Sequence, residues 1–244
     1  MDIQDLSDDY ILFLLKDELI KKSDPEYIKR EITLNGVPPE GFLGVRKPFV
    51  REVAGKYWRN GVKKLPDAVI FNLCDSLVAQ NSFELRAVAF DWAKRAKKLY
   101  RPEHFTNFED WVNKNLFCWI DCDDLCTGFG GEFLLKYPKY LSSVLKWAKS
   151  ENRWVRRAAA VSLILPAKRG LYSDAVFRTA DALLTDSDDM VQKGYGWMLK
   201  VLSASYPDDV YSYVLLNKDI MPRTSLRYAI EKLPCDMKKK AMEK

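Results

Sequence analysis

Apolar residues recur at three- and four-residue intervals along most of the chain, the spacing that places side chains on one face of an α-helix. The first such stretch runs from Asp8 to Lys22, with apolar positions at Tyr10, Ile11, Leu14, Leu15, Leu19 and Ile20. Further helical stretches cover residues 25–32, 44–58, 67–79, 82–99, 105–113, 172–184, 188–203, 208–216 and 222–233. We find no sustained alternation of apolar and polar residues of the kind that marks a strand. The pattern therefore predicts an all-α fold.

The helical stretches also repeat. In four of them a cation is followed by small and aliphatic residues, beginning at Arg86, Arg157, Lys193 and Arg227. These positions are 71, 36 and 34 residues apart, and the segment Asp121–Cys126 falls near the middle of the long interval. A period of about 35 residues with two helices per repeat predicts a helical solenoid.

The second helices of such repeats line a concave surface. We expect six residues on or near one continuous face of it: Arg86, Asp123, Arg157, Lys193, Trp197 and Arg227. Cations in successive repeats can follow a phosphate backbone, and each phosphate bound adds salt-dependent affinity. Tryptophan faces stack on bases or sugars and attract cations. The arrangement predicts a surface that binds nucleic acid.

The stretch from Asn115 to Leu165 combines the groups that such a surface needs. Trp119 and Asp123 are four residues apart and share one helix face. A fixed carboxylate beside a sugar stabilises an oxocarbenium-like centre or orients attacking water. The alternative is that Trp119 lies in the core and that Asp123 caps a helix or forms a salt bridge. Asp121 and Asp124 compete with Asp123 for any acidic role.

Another group of cations lies where the predicted loop from Asn35 to Gly44 meets a helix with Pro48 in its first turn. Arg46 and Lys47 stand at this helix start, and Arg51 follows one turn later. The helix dipole does not favour cations at this end. These three cations and the free backbone N–H groups of the helix start form a candidate phosphate-binding site. The alternative is a basic turn that is simply solvated.

The composition narrows the classes of function. The chain has 244 residues, of which 48% are hydrophobic, so it can bury a sizeable core. Its net charge of +5, from 39 basic and 34 acidic residues, favours polyanions only mildly and makes the position of the cations decisive. No apolar run reaches the roughly 18 residues that span a bilayer, and no secretory signal is evident. We expect a cytoplasmic protein that does not enter a membrane.

The cysteines and the single histidine argue against other chemistry. Cys118, Cys122 and Cys126 recur every four residues, whereas a metal site more often uses a two-residue gap and histidine ligands. His104 is expected in a loop. We therefore expect buried cysteines, no metal and no cofactor. No Ser-His-Asp or Cys-His arrangement is evident, and the glycines of residues 128–131 lack the lysine of a phosphate-binding loop.

Five segments, in this order, resemble the AlkD-like DNA alkylation repair proteins, which are HEAT-like-repeat DNA glycosylases for alkylated purines. The segments are Leu43–Arg51, Trp119–Cys126, Ser150–Val161, Val191–Leu199 and Pro222–Lys232. Those around Trp154–Arg157 and Gln192–Trp197 are the most specific. Together they extend over nearly the whole chain.

The resemblance implies a right-handed solenoid of HEAT-like antiparallel helix pairs, a single domain over residues 1–244 that binds duplex DNA containing alkylated bases. It implies hydrolytic release of 3- and 7-alkylpurines, and we expect a monomer. Carried over by position, the catalytic carboxylate falls on Asp123. The two tryptophans that contact the deoxyribose fall on Trp119 and Trp197, and the phosphate-binding arginine falls on Arg157. Further DNA contacts are expected from Arg156, Lys193, Arg153, Arg46, Lys47, Arg51 and Arg227.

The chain departs from the family at one place. The usual pattern Trp-Trp-Asp-x-x-Asp reads Cys-Trp-Ile-Asp-Cys-Asp at residues 118–123, without the first tryptophan and the intermediate acid. A shift by one residue would place Asp124 at the catalytic position and Ile120 at that of the tryptophan. Two other hypotheses remain open: a non-catalytic protein that binds distorted or branched DNA, and a protein-binding scaffold.

Overall fold

The computed structural model describes Ile3, residues 6–35 and residues 41–243, and every regular element in these ranges is helical. The α-helices are α1 Asp8–Ile20, α2 Pro25–Asn35, α3 Lys47–Asn60, α4 Asp67–Ala79, α5 Phe83–Arg95, α6 His104–Lys114, α7 Trp119–Leu125, α8 Gly131–Lys136, α9 Leu141–Lys146, α10 Arg153–Val161, α11 Ile164–Lys168, α12 Ser173–Leu183, α13 Asp189–Leu202, α14 Pro207–Asn217, α15 Arg223–Ala229 and α16 Cys235–Met242. The all-α prediction is confirmed. The predicted loop between Asn35 and Gly44 is not described at residues 36–40.

The predicted helices are present, with bounds shifted by a few residues. Helix α3 begins at Lys47 and has Pro48 in its first turn, as expected. His104 differs from the prediction, because it begins α6 and is buried instead of lying in a loop. Its ring stacks on Phe71 at 3.8 Å between centroids, and its Nδ1 accepts a hydrogen bond from the Arg101 backbone N–H at 3.1 Å. These tertiary contacts hold the residue in a way that periodicity does not reveal.

The glycine-rich segment after α7 is not a break. Residues Cys126–Gly130 form one π-helical turn that continues directly into α8. A Cβ atom on Gly131 would lie 2.7 Å from Cβ of Leu165, so the absence of a side chain lets α8 approach α11 closely. The glycines therefore serve packing here and do not interrupt the succession of helices.

The described residues divide into two compact units, Met1–Trp111 (unit 1) and Val112–Lys244 (unit 2). In unit 1, α5 packs against α3 and α4, and α1 contacts all three. Trp92 of α5 is fully buried, and its Nε1 donates to the Ala54 carbonyl of α3 at 3.0 Å. The core of unit 1 is therefore built around α5.

The position of Arg86 contradicts the expectation that it lies on a ligand-binding face. The residue is only 1% exposed, because it belongs to the part of α5 that is covered by neighbouring helices. Most of α5 is buried, including Leu85, Val88 and Ala89. The repeat pattern identified the right helix but not the exposure of its cation.

In unit 2, α7, α10, α13 and α15 pack against one another in that order. These are the four helices in which the repeat places Asp121–Cys126, Arg157, Lys193 and Arg227, so the packing agrees with the predicted period. Small residues permit the close approach: a Cβ atom on Gly196 of α13 would lie 2.7 Å from Cβ of Tyr228 on α15. The row of four helices positions the site described next.

Candidate functional site

The first turn of helix α7 contains a buried acid, Asp121. Asp121 is 2% exposed, and its Oδ2 accepts a hydrogen bond from the Phe117 backbone N–H at 3.2 Å. This bond ties the preceding backbone to the helix start, where N–H groups lack partners within the helix. Asp121 therefore has a structural role, although it competed with Asp123 as a candidate in the sequence.

Trp119 is the first residue of α7 and is 48% exposed, which is unusual for so large an apolar side chain. The expectation that it lies on the surface holds, and the alternative of a core tryptophan does not. Asp123 follows one helical turn later, and its side chain is 19% exposed. An accessible aromatic face and an accessible carboxylate thus lie on one side of the same short helix.

Arg157 of α10 holds the Asp123 carboxylate in place. Its Nε donates to Oδ1 at 3.1 Å, and its Nη2 donates to Oδ1 at 2.9 Å and to Oδ2 at 3.1 Å. The remaining nitrogen, Nη1, donates to the Met190 carbonyl at the start of α13. This fork fixes both oxygens of the acid and links α7, α10 and α13 through one side chain.

Arg157 thereby differs from the expectation of an exposed phosphate ligand. Its side chain is only 6% exposed, and all of its nitrogens donate to protein oxygens. The helices pack so closely here that a Cβ atom on Gly194 would lie 3.3 Å from Cγ of Arg157. The side chain is therefore enclosed between α7 and α13, where it is suited to position Asp123.

The neighbouring Arg156 is also paired with protein groups. It donates to both oxygens of Asp186, at 2.6 and 3.3 Å, and to the carbonyls of Ser150 and Glu151, both at 2.9 Å. Its side chain is largely buried, so it joins the loops that precede α10 and α13 and is not presented as a DNA ligand. Its predicted contact with DNA stays a prediction.

Arg153 lies closer to solvent than either of these residues. It pairs with Asp188 at 2.8 Å, and its guanidinium lies over the ring of Trp154 at 4.8 Å from the centroid. About half of its side chain remains exposed. An exposed arginine stacked on an aromatic ring is pre-organised to accept a second anion.

The acids that pair with these arginines were missed by sequence reasoning. Asp186 and Asp188, which pair with Arg156 and Arg153, lie just before α13 and were not among the candidate residues. Asp188 does cap α13, because its Oδ1 accepts from the backbone N–H groups of Met190 and Val191. Its second role, as the partner of Arg153, depends on a contact between two helices and leaves no local signal in the sequence.

The remaining predicted residues of unit 2 lie on α13 and α15. Trp197 is half-buried on α13, the helix whose start receives the Arg157 hydrogen bond. Lys193 is half-buried and pairs with Asp189 of its own helix at 2.6 Å. Arg227 is exposed on α15. These three residues lie on the last two helices of the row that begins with Trp119 and Asp123 on α7.

The cations at the start of α3 belong to unit 1. Arg46 pairs with Asp24 at 2.8 Å and lies over the ring of Tyr27 at 5.1 Å from the centroid. The hydrogen bond from Arg46 holds the pKa of the Asp24 carboxyl below its ordinary value, with help from the Tyr27 backbone N–H. Lys47 is half-buried and Arg51 is exposed. Arg46 is thus partly neutralised, and Arg51 is the most accessible of the three.

Two of the three cysteines near the site are buried. Cys122 and Cys126 are fully buried, and burial raises the pKa of the Cys122 thiol well above its ordinary value. Burial and the charge of Asp121 raise the pKa of Cys118 to about 12. Among the described residues no group of three or more His, Cys, Asp or Glu side chains is arranged to hold a metal ion. Within the same residues no helix is both long and apolar enough to cross a membrane.

The sequence matches the family described as "DNA alkylation repair enzyme" over residues 15–233. The chain belongs to this family. No curated protein matches the sequence. The family assignment agrees with the resemblance found in the sequence.

Three solved structures share the fold of this chain. A protein described as a predicted DNA alkylation repair enzyme from Enterococcus faecalis is 18% identical, with a TM-score of 0.75 over 88% of this chain and 98% of its own. The protein smu.31 from Streptococcus mutans UA159 is 23% identical, with a TM-score of 0.59 over 93% and 99% of the two chains. AlkD2 from Streptococcus mutans is 23% identical, with a TM-score of 0.56 over 86% and 99%. At these identities the likeness establishes a shared fold.

Proposed function

We propose that this member of the DNA alkylation repair family is a DNA glycosylase that releases positively charged 3- and 7-alkylpurines from duplex DNA. The observation that carries the proposal is the arrangement on α7: an exposed Trp119 stands one turn before Asp123, whose carboxylate is fixed by the buried Arg157. A fixed carboxylate beside an aromatic face is suited to a cationic sugar intermediate.

The chemistry places few demands on the protein. When the N-glycosidic bond of a cationic alkylpurine breaks, its electron pair stays with the base, which leaves neutral. The deoxyribose becomes an oxocarbenium-like ion, and the negative charge of Asp123 and the ring face of Trp119 both stabilise it. Water then adds through its oxygen to the sugar carbon and loses a proton to the carboxylate or to solvent. The products are the free base and an abasic site.

The protein contacts of the cations support two different roles for them in this proposal. Arg157 acts as a positioning residue for Asp123, and Arg156 holds the loops around it. The DNA backbone is bound by Arg153, Lys193 and Arg227 in unit 2 and by Arg46, Lys47 and Arg51 in unit 1. Trp197 contacts the sugar together with Trp119. In this proposal residues 1–244 act as one DNA-binding domain, a monomer of the cytoplasm that uses no cofactor.

One observation favours a second candidate function. The charge of Arg157 partly cancels the field of Asp123 at the place where a sugar cation would form, which weakens electrostatic stabilisation. A protein with this pair permanently in place would bind alkylated or distorted duplexes without releasing a base. Family membership agrees with both functions, so the measurement must separate binding from release.

The test measures release of 7-methylguanine and 3-methyladenine from methylated duplex DNA by the wild type, Asp123→Asn and Asp124→Asn. We expect the wild type and Asp124→Asn to release base and the rate of Asp123→Asn to fall by about 10²-fold or more. Asp124→Asn is the matched control, because it removes the adjacent acid of the same helix. Unchanged release by Asp123→Asn would reject the assignment of the acid. DNA binding without release by the wild type would favour the second candidate.

A further inference from the structure

Helices α3 and α5 of unit 1 lie side by side and run in the same direction. At their starts, Glu84 of α5 accepts a hydrogen bond from the Val45 backbone N–H just before α3, at 3.1 Å. Farther along both helices, Trp92 of α5 donates to the carbonyl of Ala54 of α3 at 3.0 Å. The C-terminal ends of both helices therefore emerge at the same end of unit 1.

That end carries a concentration of positive charge. No acid occurs between Glu52 and Asp67 or between Asp91 and Glu103. Lys56 and Arg101, within these intervals, pair with Glu18 and Asp67 respectively. The other seven cations of the two intervals, including Arg95, which pairs with Asp91, are all exposed: Arg59, Lys63, Lys64, Lys94, Arg95, Lys97 and Lys98. We call these seven the basic end of unit 1.

Two of these cations converge at one point on α3. A Cβ atom on Gly55 would lie 3.2 Å from Nη1 of Arg59 and 3.6 Å from Nη2 of Arg95. Arg95 also pairs with Asp91 of its own helix, while Arg59 approaches the same glycine from within α3. A glycine inside a helix costs about 1 kcal/mol relative to alanine, and here it makes room for two guanidinium groups.

The helix dipole explains only part of this charge. Cations in the last turn of a helix are favourable, but the effect falls off within that turn. Arg59 lies in the last turn of α3, and Lys94 and Arg95 lie in that of α5. Lys63, Lys64, Lys97 and Lys98 lie in the 3-10 turns that follow these helices. Exposed like charges at neighbouring helix ends repel one another, and a polyanion relieves the repulsion. The overall excess of positive charge in this chain thus comes largely from these two sequence intervals, which include the ends of α3 and α5.

We propose that the basic end of unit 1 binds the phosphate backbone of duplex DNA, as a surface distinct from the residues of α7. The inference rests on the proposed DNA-directed function. Backbone contacts of this kind carry no sequence or lesion information, so the surface holds damaged and undamaged duplexes equally. Its contribution is affinity, and that affinity falls as salt rises.

The experiment compares Lys63→Gln/Lys64→Gln/Lys98→Gln with a matched control, Lys232→Gln/Lys239→Gln/Lys240→Gln. Both triple variants remove three exposed positive charges. The control lysines are matched in position as well, because Lys239 and Lys240 lie in the last turn of a helix, α16, and the test lysines follow the ends of α3 and α5. The dissociation constant for an undamaged duplex is measured by fluorescence anisotropy at several salt concentrations. A third variant with arginine at positions 63, 64 and 98 keeps the charge.

We expect the first variant to bind about 10-fold or more weakly at low salt, with a salt slope smaller by about 0.9 for each phosphate that the surface no longer neutralises. The control and the arginine variant should bind like the wild type. Equal weakening of the first variant and the control would overturn the proposal, because it would show only the effect of net charge. The measurement does not depend on base release, so a wild type that fails to excise rejects the glycosylase and leaves this result standing.

Discussion

The guanidinium of Arg157 and the carboxylate of Asp123 are joined by three hydrogen bonds of 2.9 to 3.1 Å. The two residues come from neighbouring helices and are 34 positions apart, about one repeat. Arg157 is buried, so removal of either partner leaves the other charge poorly compensated. The pair both fixes the acid and stabilises the contact between α7 and α10.

Arg157→Lys tests whether this arginine positions the acid. Lysine keeps the charge but cannot form the planar fork that holds both oxygens. We expect the single-turnover rate of base release to fall by about 10²-fold, the effect of misplacing a catalytic group by an ångström. The dissociation constant for undamaged duplex should stay near the wild-type value, because the side chain is enclosed. If Arg157 instead grips phosphate, binding will weaken and the salt slope will fall by about 1.

Trp119→Ala tests whether the exposed ring contacts the substrate. The ring is half exposed, so its removal should change the melting temperature little, whereas removing one stacked ring costs about 1–3 kcal/mol in the DNA complex. We expect excision and binding of alkylated duplex to fall about 10-fold, towards the lower end of that range, since about 1.4 kcal/mol is a factor of ten. Phe117→Ala is the control, because that ring has nearly the same exposure two residues earlier. Equal losses of excision and binding in both variants would show that Trp119 contributes no more than any exposed ring near the site.

Two glycine substitutions test the packing of the helix row. A Cβ atom on Gly196 would lie 2.7 Å from Cβ of Tyr228 and 2.8 Å from the Ser225 carbonyl oxygen, and backbone cannot easily move away. We expect Gly196→Ala to destabilise the fold by about 1–3 kcal/mol. Gly55→Ala meets only the ends of flexible arginine side chains, so it should leave stability equal or raise it by up to about 1 kcal/mol. Chemical denaturation of both variants checks the difference, and similar stabilities would contradict the close approach of α13 and α15.

The five thiols should differ sharply in reactivity at about pH 8, just below the ordinary thiol pKa. Cys235 is exposed, whereas burial raises the pKa of the thiols of Cys74, Cys118 and Cys122. The reactive species is the thiolate, so the raised pKa values leave almost none of it at this pH. Titration with a thiol reagent should show one fast equivalent in the folded protein, which Cys235→Ser removes, and further equivalents only after unfolding. A fast equivalent that persists in Cys235→Ser would contradict the burial of the other thiols.

The sequence by itself determined the helices and their repeat. Helix formation depends on the local spacing of apolar residues, so the pattern around Tyr10, Val88 or Trp197 was sufficient to predict α1, α5 and α13. The period of about 35 residues was legible because each repeat must present small residues to its neighbours, and the packing of α7, α10, α13 and α15 agrees with it. The family could be recognised for the same reason, since its motifs are short and local.

Only the tertiary structure decided which charged groups are available to a ligand. In the sequence, Arg86 and Arg157 cannot be told apart from the exposed Arg227, but both are buried by helices that are distant along the chain. The hydrogen bond that Asp121 accepts from the Phe117 backbone N–H distinguishes its structural role from the role proposed for Asp123. The physical reason is the same in each case: helical periodicity tells which face a side chain occupies, whereas its partner comes from another segment whose position against the first is set by packing.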